Sequence, residues 1–64
     1  MSYVLGEAPR TQSDAFDALE NVFGSEEFST SDATEVLEEV LDLNPEEARN
    51  ELNRLLRREA IMEA

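Results

Sequence analysis

The stretch NPEEARNELNRLLRR, residues 44–58, contains both a helix start and a two-sided helix face. Asn44 offers a side-chain oxygen to the free N–H groups of a first turn. Pro45 suits the first helical position, where no N–H donor is needed. Glu47, three residues after the cap, completes a capping box, and Leu43 can staple onto Ala48 across it. On a helical wheel Ala48, Leu52, Leu55 and Leu56 fill one arc of about 100°, the width of a core-facing stripe. The opposite face carries Arg49, Asn50, Asn53, Arg54 and Arg57, with Arg58 at its edge. The pattern predicts a helix from 44 to about 58 or 59. After it, Ala60-Ile61-Met62-Glu63 reads as a short strand or a frayed end.

Working back along the chain, Ser29 is a cap for a second helix over about 30–41, with Asp32 as its capping-box acid and Phe28 as its apolar staple. Ala33, Val36, Leu37, Val40 and Leu41 make its buried stripe, and Glu35, Glu38, Glu39 and Asp42 its wet face. A first helix over about 13–23 starts at Ser13 and Asp14, repeats Phe16, Leu19, Val22 and Phe23 at helical spacing, and stops at Gly24 in a left-handed conformation. Residues 25–28 then form a short extended connection with Phe28 pointing inward. Residues 1–12, with Gly6 and Pro9 and no period, read as a flexible N-terminal tail. Within it Tyr3-Val4-Leu5 can add a strand, but a frayed end is the reading taken. The domain is therefore 13–64.

The expected fold is mainly α: a three-helix helix-turn-helix unit, minimal and winged-helix-like. Its sheet would be at most a tiny two-stranded one, pairing residues near Phe28 with Ile61. The expected core is Phe16, Leu19, Phe23, Phe28, Val36, Leu37, Val40, Leu43, Ala48, Leu52, Leu55 and Ile61.

Composition narrows the function. Sixty-four residues make one small domain with a marginal core. Without cysteine there is neither a disulfide nor a thiolate metal site. Without histidine the usual general base and the commonest metal ligand are missing. Lysine is absent as well, so acid–base chemistry would fall to paired carboxylates, which need a cleft to shift their pKa values. No enzyme, catalytic residue, metal or cofactor is expected. Asp42-Leu43-Asn44-Pro45-Glu46 superficially matches the opening of a calcium loop. It fails at the sixth position, Glu47 in place of glycine, and at the twelfth, Asn53 in place of glutamate. Two glycines cannot build a glycine-rich phosphate loop. No apolar run has the length of a membrane span, so a cytoplasmic protein without a membrane partner is expected.

Charge is unevenly spread. Sixteen acids oppose five arginines, a net charge of −11. Residues 1–42 hold eleven acids and one arginine, a net of −10, whereas residues 43–64 hold five acids and four arginines, a net of −1. Acid excess without lysine suits a halophilic, archaeal cytoplasm, where molar salt shortens the Debye length to about 3 Å and screens self-repulsion. The plainer alternative is an acidic small protein with an arginine bias. Under salt adaptation the net charge identifies no partner, and the arginine cluster becomes the informative feature.

Arg49, Asn50, Asn53, Arg54, Arg57 and Arg58 are the candidate DNA-binding residues. Arginine presents a planar fork to phosphate or guanine, and asparagine pairs bidentately with adenine. The competing reading is a solvated face tied by ion pairs. It expects glutamate–arginine spacing of four, but only Glu46–Arg49 and Glu51–Arg54 occur, both at three. Pairing across to Glu35, Glu38 or Glu39 of helix two, or to a second subunit, is the other form of that reading.

Phe28-Ser29, Leu43-Asn44-Pro45 and Leu55-Leu56-Arg57-Arg58-Glu59-Ala60-Ile61 resemble the helix-turn-helix segment of winged-helix regulators. Together with the acid excess, the chain is similar to a small haloarchaeal winged-helix domain with a truncated wing. That resemblance implies that helix three enters the major groove and helix two crosses the backbone. It also departs from the family. One short segment follows helix three, too little for a two-stranded wing, and Glu59 stands where the family commonly has glycine. The expected function is a DNA-binding transcriptional regulator. The alternative is a protein-interaction module or adaptor on the same fold, and a third reading is an acidic DNA mimic. Because the net charge opposes phosphate binding, the DNA reading implies a homodimer, for which Phe16, Val22 and Tyr3 are candidate surface, although plain core is the reading taken for those residues.

Overall fold

The computed structural model describes residues 2–64. In chain order the elements are β1 (Ser2–Leu5), α1 (Asp14–Phe23), β2 (Phe28–Ser29), α2 (Thr30–Val40), α3 (Pro45–Arg57) and β3 (Ile61–Glu63). The fold is mainly α with a small antiparallel sheet, and α2 and α3 are joined by the four-residue turn 41–44.

Each helix starts at the residue whose side chain can accept from the first turn. Ser13 Oγ accepts from the Phe16 N–H at 3.2 Å and Ser29 Oγ from the Asp32 N–H at 3.1 Å. Asn44 Oδ1 accepts from the Glu47 N–H at 2.8 Å, and the Glu47 carboxylate accepts in return from the Asn44 N–H at 3.5 Å. The capping box is complete.

The helix ends differ from one another. Gly24 has φ 58° and ψ −117°, and the Glu26 N–H donates to the Phe23 carbonyl at 2.9 Å. This is a type II′ turn with glycine at its first central position, not the left-handed stop expected there. Asp42 ends α2 with φ 53° and Glu59 ends α3 with φ 58°. Behind them the Leu43 N–H reaches the Glu38 carbonyl at 3.2 Å and the Ala60 N–H the Leu55 carbonyl at 2.9 Å. In α3 the Glu59 N–H also donates to the Leu56 carbonyl at 3.1 Å, completing a Schellman motif, while α2 shows its 6→1 bond; both place an acid where glycine usually sits.

The tail reading of residues 1–12 is corrected for 2–5, while Met1 lies outside the described residues. The sheet order is β2-β1-β3, so β1 is its central strand. Tyr3 sits opposite Phe28 on one side and Glu63 on the other, with Val4 opposite Met62 and Leu5 opposite Ile61. The expected direct pairing of the Phe28 region with Ile61 does not form, because β1 lies between them. A strand this short shows no measurable alternation, so its sequence gave no period to read. Tyr3 is nonetheless buried. Its ring lies 6.3 Å from that of Phe28, which stacks on Phe23 at 4.8 Å and so ties sheet to α1.

The core holds Tyr3, Phe16, Leu19, Phe28, Leu37, Leu52, Leu55 and Ile61, together with Ala15, Ala18, Ala33, Ala48 and Ala60. Of the expected core residues, Phe23, Val36 and Leu43 are only partly buried. Val40 is 57% exposed and lies outside the core. Ala33 and Ala48 were expected on the buried stripes of their helices, whereas Ala15, Ala18 and Ala60 were not foreseen: a small side chain has no hydrophobic signal of its own, yet it permits close approach of neighbouring elements. Among the described residues no helix is long and apolar enough to cross a membrane.

Candidate functional site

Helix α3 turns Ala48, Leu52 and Leu55 into the core, with Leu56 half-buried beside them. Helical geometry therefore sends the intervening positions outward. Arg49, Asn50, Asn53, Arg54, Arg57 and Arg58 are all exposed. The structure places Arg49, Asn50, Asn53, Arg54 and Arg57 on the solvent side of α3, with Arg58 exposed at its C-cap.

Electrostatically the face is little engaged. Arg54 meets Glu51 at 3.4 Å within the helix, with the arginine side chain 71% exposed. An exposed pair of this kind contributes about 0–1 kcal/mol. Among the described residues no other arginine has a carboxylate within 4.0 Å, and no ion pair joins α3 to the acids of α2. Arg54 and Arg57 occupy the last turn of α3, where the helix dipole favours cations, and Glu46 and Glu47 occupy the first. The cations are thus concentrated at the C-terminal end of the helix.

One residue absent from the expected set joins that end. Arg10 lines a surface depression with Arg58, Glu7, Ala8, Pro9 and Thr11. Two backbone features place it there: β1 runs beside β3, and the Gly6 N–H donates to the Ala60 carbonyl at 2.7 Å. No sequence signal ties Arg10 to α3, since the link is a strand pairing between distant segments.

Chemically the face offers guanidinium donors together with amides that both donate and accept. Guanidinium groups suit phosphate and guanine edges, and the two asparagine amides suit adenine. Among the described residues no group of three or more acids is arranged to hold a metal ion. Compared with known proteins, the chain matches no family model, no curated protein and no solved structure.

Proposed function

We propose that this chain is a small DNA-binding transcriptional regulator of a halophilic cytoplasm, reading DNA with α3. The observation that carries this reading is the outer face of α3: four arginines and two asparagines, all exposed, with a single weak intrahelical ion pair among them. In a chain of net charge −11, this cluster takes no part in the core and makes no ion pair with α2. The resemblance to winged-helix regulators supports the same assignment, with α3 in the major groove and α2 across the backbone. Five arginines per chain, four of them in the 49–58 stretch, are few for phosphate binding in high salt, so the binding unit is taken as a homodimer; of the residues considered for its interface, Phe16 and Tyr3 lie buried in the core and Val22 is exposed.

The test is an amide-shift titration with mixed-sequence duplex DNA, at about 0.1 M and then about 2 M potassium chloride to bracket the screening range. Shifts centred on residues 44–58 that persist at high salt are expected. The double substitution Arg49→Ala with Arg57→Ala is expected to abolish binding and leave the amide spectrum folded. Unchanged affinity in that variant would sink the assignment.

A protein-docking role is the second reading. It is favoured by the exposed acids Glu35 and Glu39 beside the exposed Val40 on α2, a mixed surface that suits a protein better than a polyanion. A folded protein that shows no shifts with DNA selects it.

A further inference from the structure

Arg10 is the one arginine outside the 49–58 cluster, and the fold carries it to the end of that cluster. The depression it shares with Arg58 has a volume of about 380 Å³. Its walls are held on two sides. The Gly6–Ala60 hydrogen bond at 2.7 Å clamps the chain just before the depression to the turn that ends α3. Pro9 fixes its own φ and keeps Ala8 extended. A segment restrained in this way loses less entropy when its side chains engage a ligand.

The charge in the depression is unusual for this molecule. Its charged lining residues are Arg10, Arg58 and Glu7. Among the described residues neither arginine is within 4.0 Å of any carboxylate, Glu7 included. A local net of +1 therefore stands unpaired on a chain of −11. Two planar forks around one concavity suit an oxyanion with several acceptor oxygens, above all a phosphate group. The depression lies at the C-terminal end of α3, where Arg54 and Arg57 occupy the last turn.

We infer that the Arg10–Arg58 depression holds one phosphodiester group of the duplex contacted by α3, with Arg10 as a backbone-contacting residue. The inference rests on the DNA-binding reading of α3 and adds a contact from outside the helix-turn-helix segment. Its chemistry is shared by free inorganic phosphate, and the experiment separates the two.

Duplex affinity is measured from about 0.1 M to 1 M potassium chloride for the unmodified chain, for Arg10→Gln, and for Arg10→Gln combined with Glu26→Gln. The last variant restores the original net charge through an exposed residue of the turn after α1, outside α2, α3 and the depression. Loss of one phosphate contact is expected to weaken binding about eightfold at 0.1 M salt and to reduce the log–log salt slope by about 0.9. The charge-matched variant is expected to stay as weak as Arg10→Gln. Recovery of full affinity in it would reduce the effect to net charge and overturn the proposal, as would an unchanged affinity or slope in Arg10→Gln. In parallel, inorganic phosphate is titrated while the Arg10 and Arg58 side-chain Nε–H signals are followed. Saturable shifts with phosphate but none with duplex would make this a small-anion site and also overturn the proposal. If the unmodified chain binds no duplex at any salt, the α3 reading itself fails and this contact falls with it. Duplex binding that is indifferent to Arg10→Gln removes this contact alone.

Discussion

At Gly6 a missing side chain lets the two ends of the chain meet. A Cβ built there would lie 2.7 Å from the Glu59 carbonyl oxygen and 3.2 Å from the Met62 methyl carbon. The methyl can rotate away, but the carbonyl belongs to the turn that the Gly6 N–H helps to hold. Gly6→Ala should therefore destabilise the domain by about 1–3 kcal/mol, the range for forced overpacking. The urea midpoint at fixed salt measures it, and an unaltered midpoint would show that the turn yields freely. Glu59 makes the opposite case. Its φ of 58° places a side chain in a conformation that disfavours L-residues by about 1–2 kcal/mol. Part of the relief on Glu59→Gly is offset by the greater freedom of glycine in the unfolded chain, leaving an expected gain of about 0.5–1 kcal/mol. A fall in thermal midpoint for this variant would contradict the strain. The two positions differ in legibility. Glu59 could be flagged from sequence because it follows a recognisable helix end. Gly6 could not, because the atoms it must avoid come from the far end of the chain.

Among the elements, the helices were readable, the strands at Phe28 and Ile61 were expected only as a tiny direct pair, and β1 was read as a tail. Caps act between residues three apart, so Ser13, Ser29 and Asn44 disclose their helices locally. The capping box of α3 is the most complete of these, and Asn44→Ala should cost about 1 kcal/mol through the unpaired Glu47 N–H and the lost reciprocal bond. A drop in the thermal midpoint relative to the unmodified domain is the check, and no drop would mean that water replaces the cap at no loss. Helix periodicity also overreached. Val40 lies on the same arc of α2 as Ala33 and Leu37 but is 57% exposed, because it ends the helix where no neighbouring element covers it. Strands β1 and β2 have four and two residues, too few for alternation to rise above chance. Their existence depends on pairing partners, which no local window contains.

At the scale of the whole molecule, β1 decides whether the three helices form a stable domain. It supplies both sheet partners and the buried Tyr3, in a chain whose size leaves little spare core. A chain lacking residues 1–6 should show no cooperative thermal transition by circular dichroism, even in about 2 M potassium chloride, where charge repulsion is screened. A transition matching that of the full chain would make the sheet dispensable and return residues 13–64 to the status of a complete domain. The same division runs through the candidate site. Arg49, Asn50, Asn53, Arg54, Arg57 and Arg58 could be grouped from sequence because one helix presents them at a known angular spacing. Their exposure and scant pairing, and the arrival of Arg10 beside Arg58, required the folded chain. The sequence by itself determined the three helices, their caps and the face that carries the arginines, since hydrogen bonding and side-chain period act within a turn or two of helix. Tertiary structure alone decided the central place of β1, the need for glycine at position 6 and the Arg10–Arg58 depression, since each joins segments that only long-range strand pairing brings together.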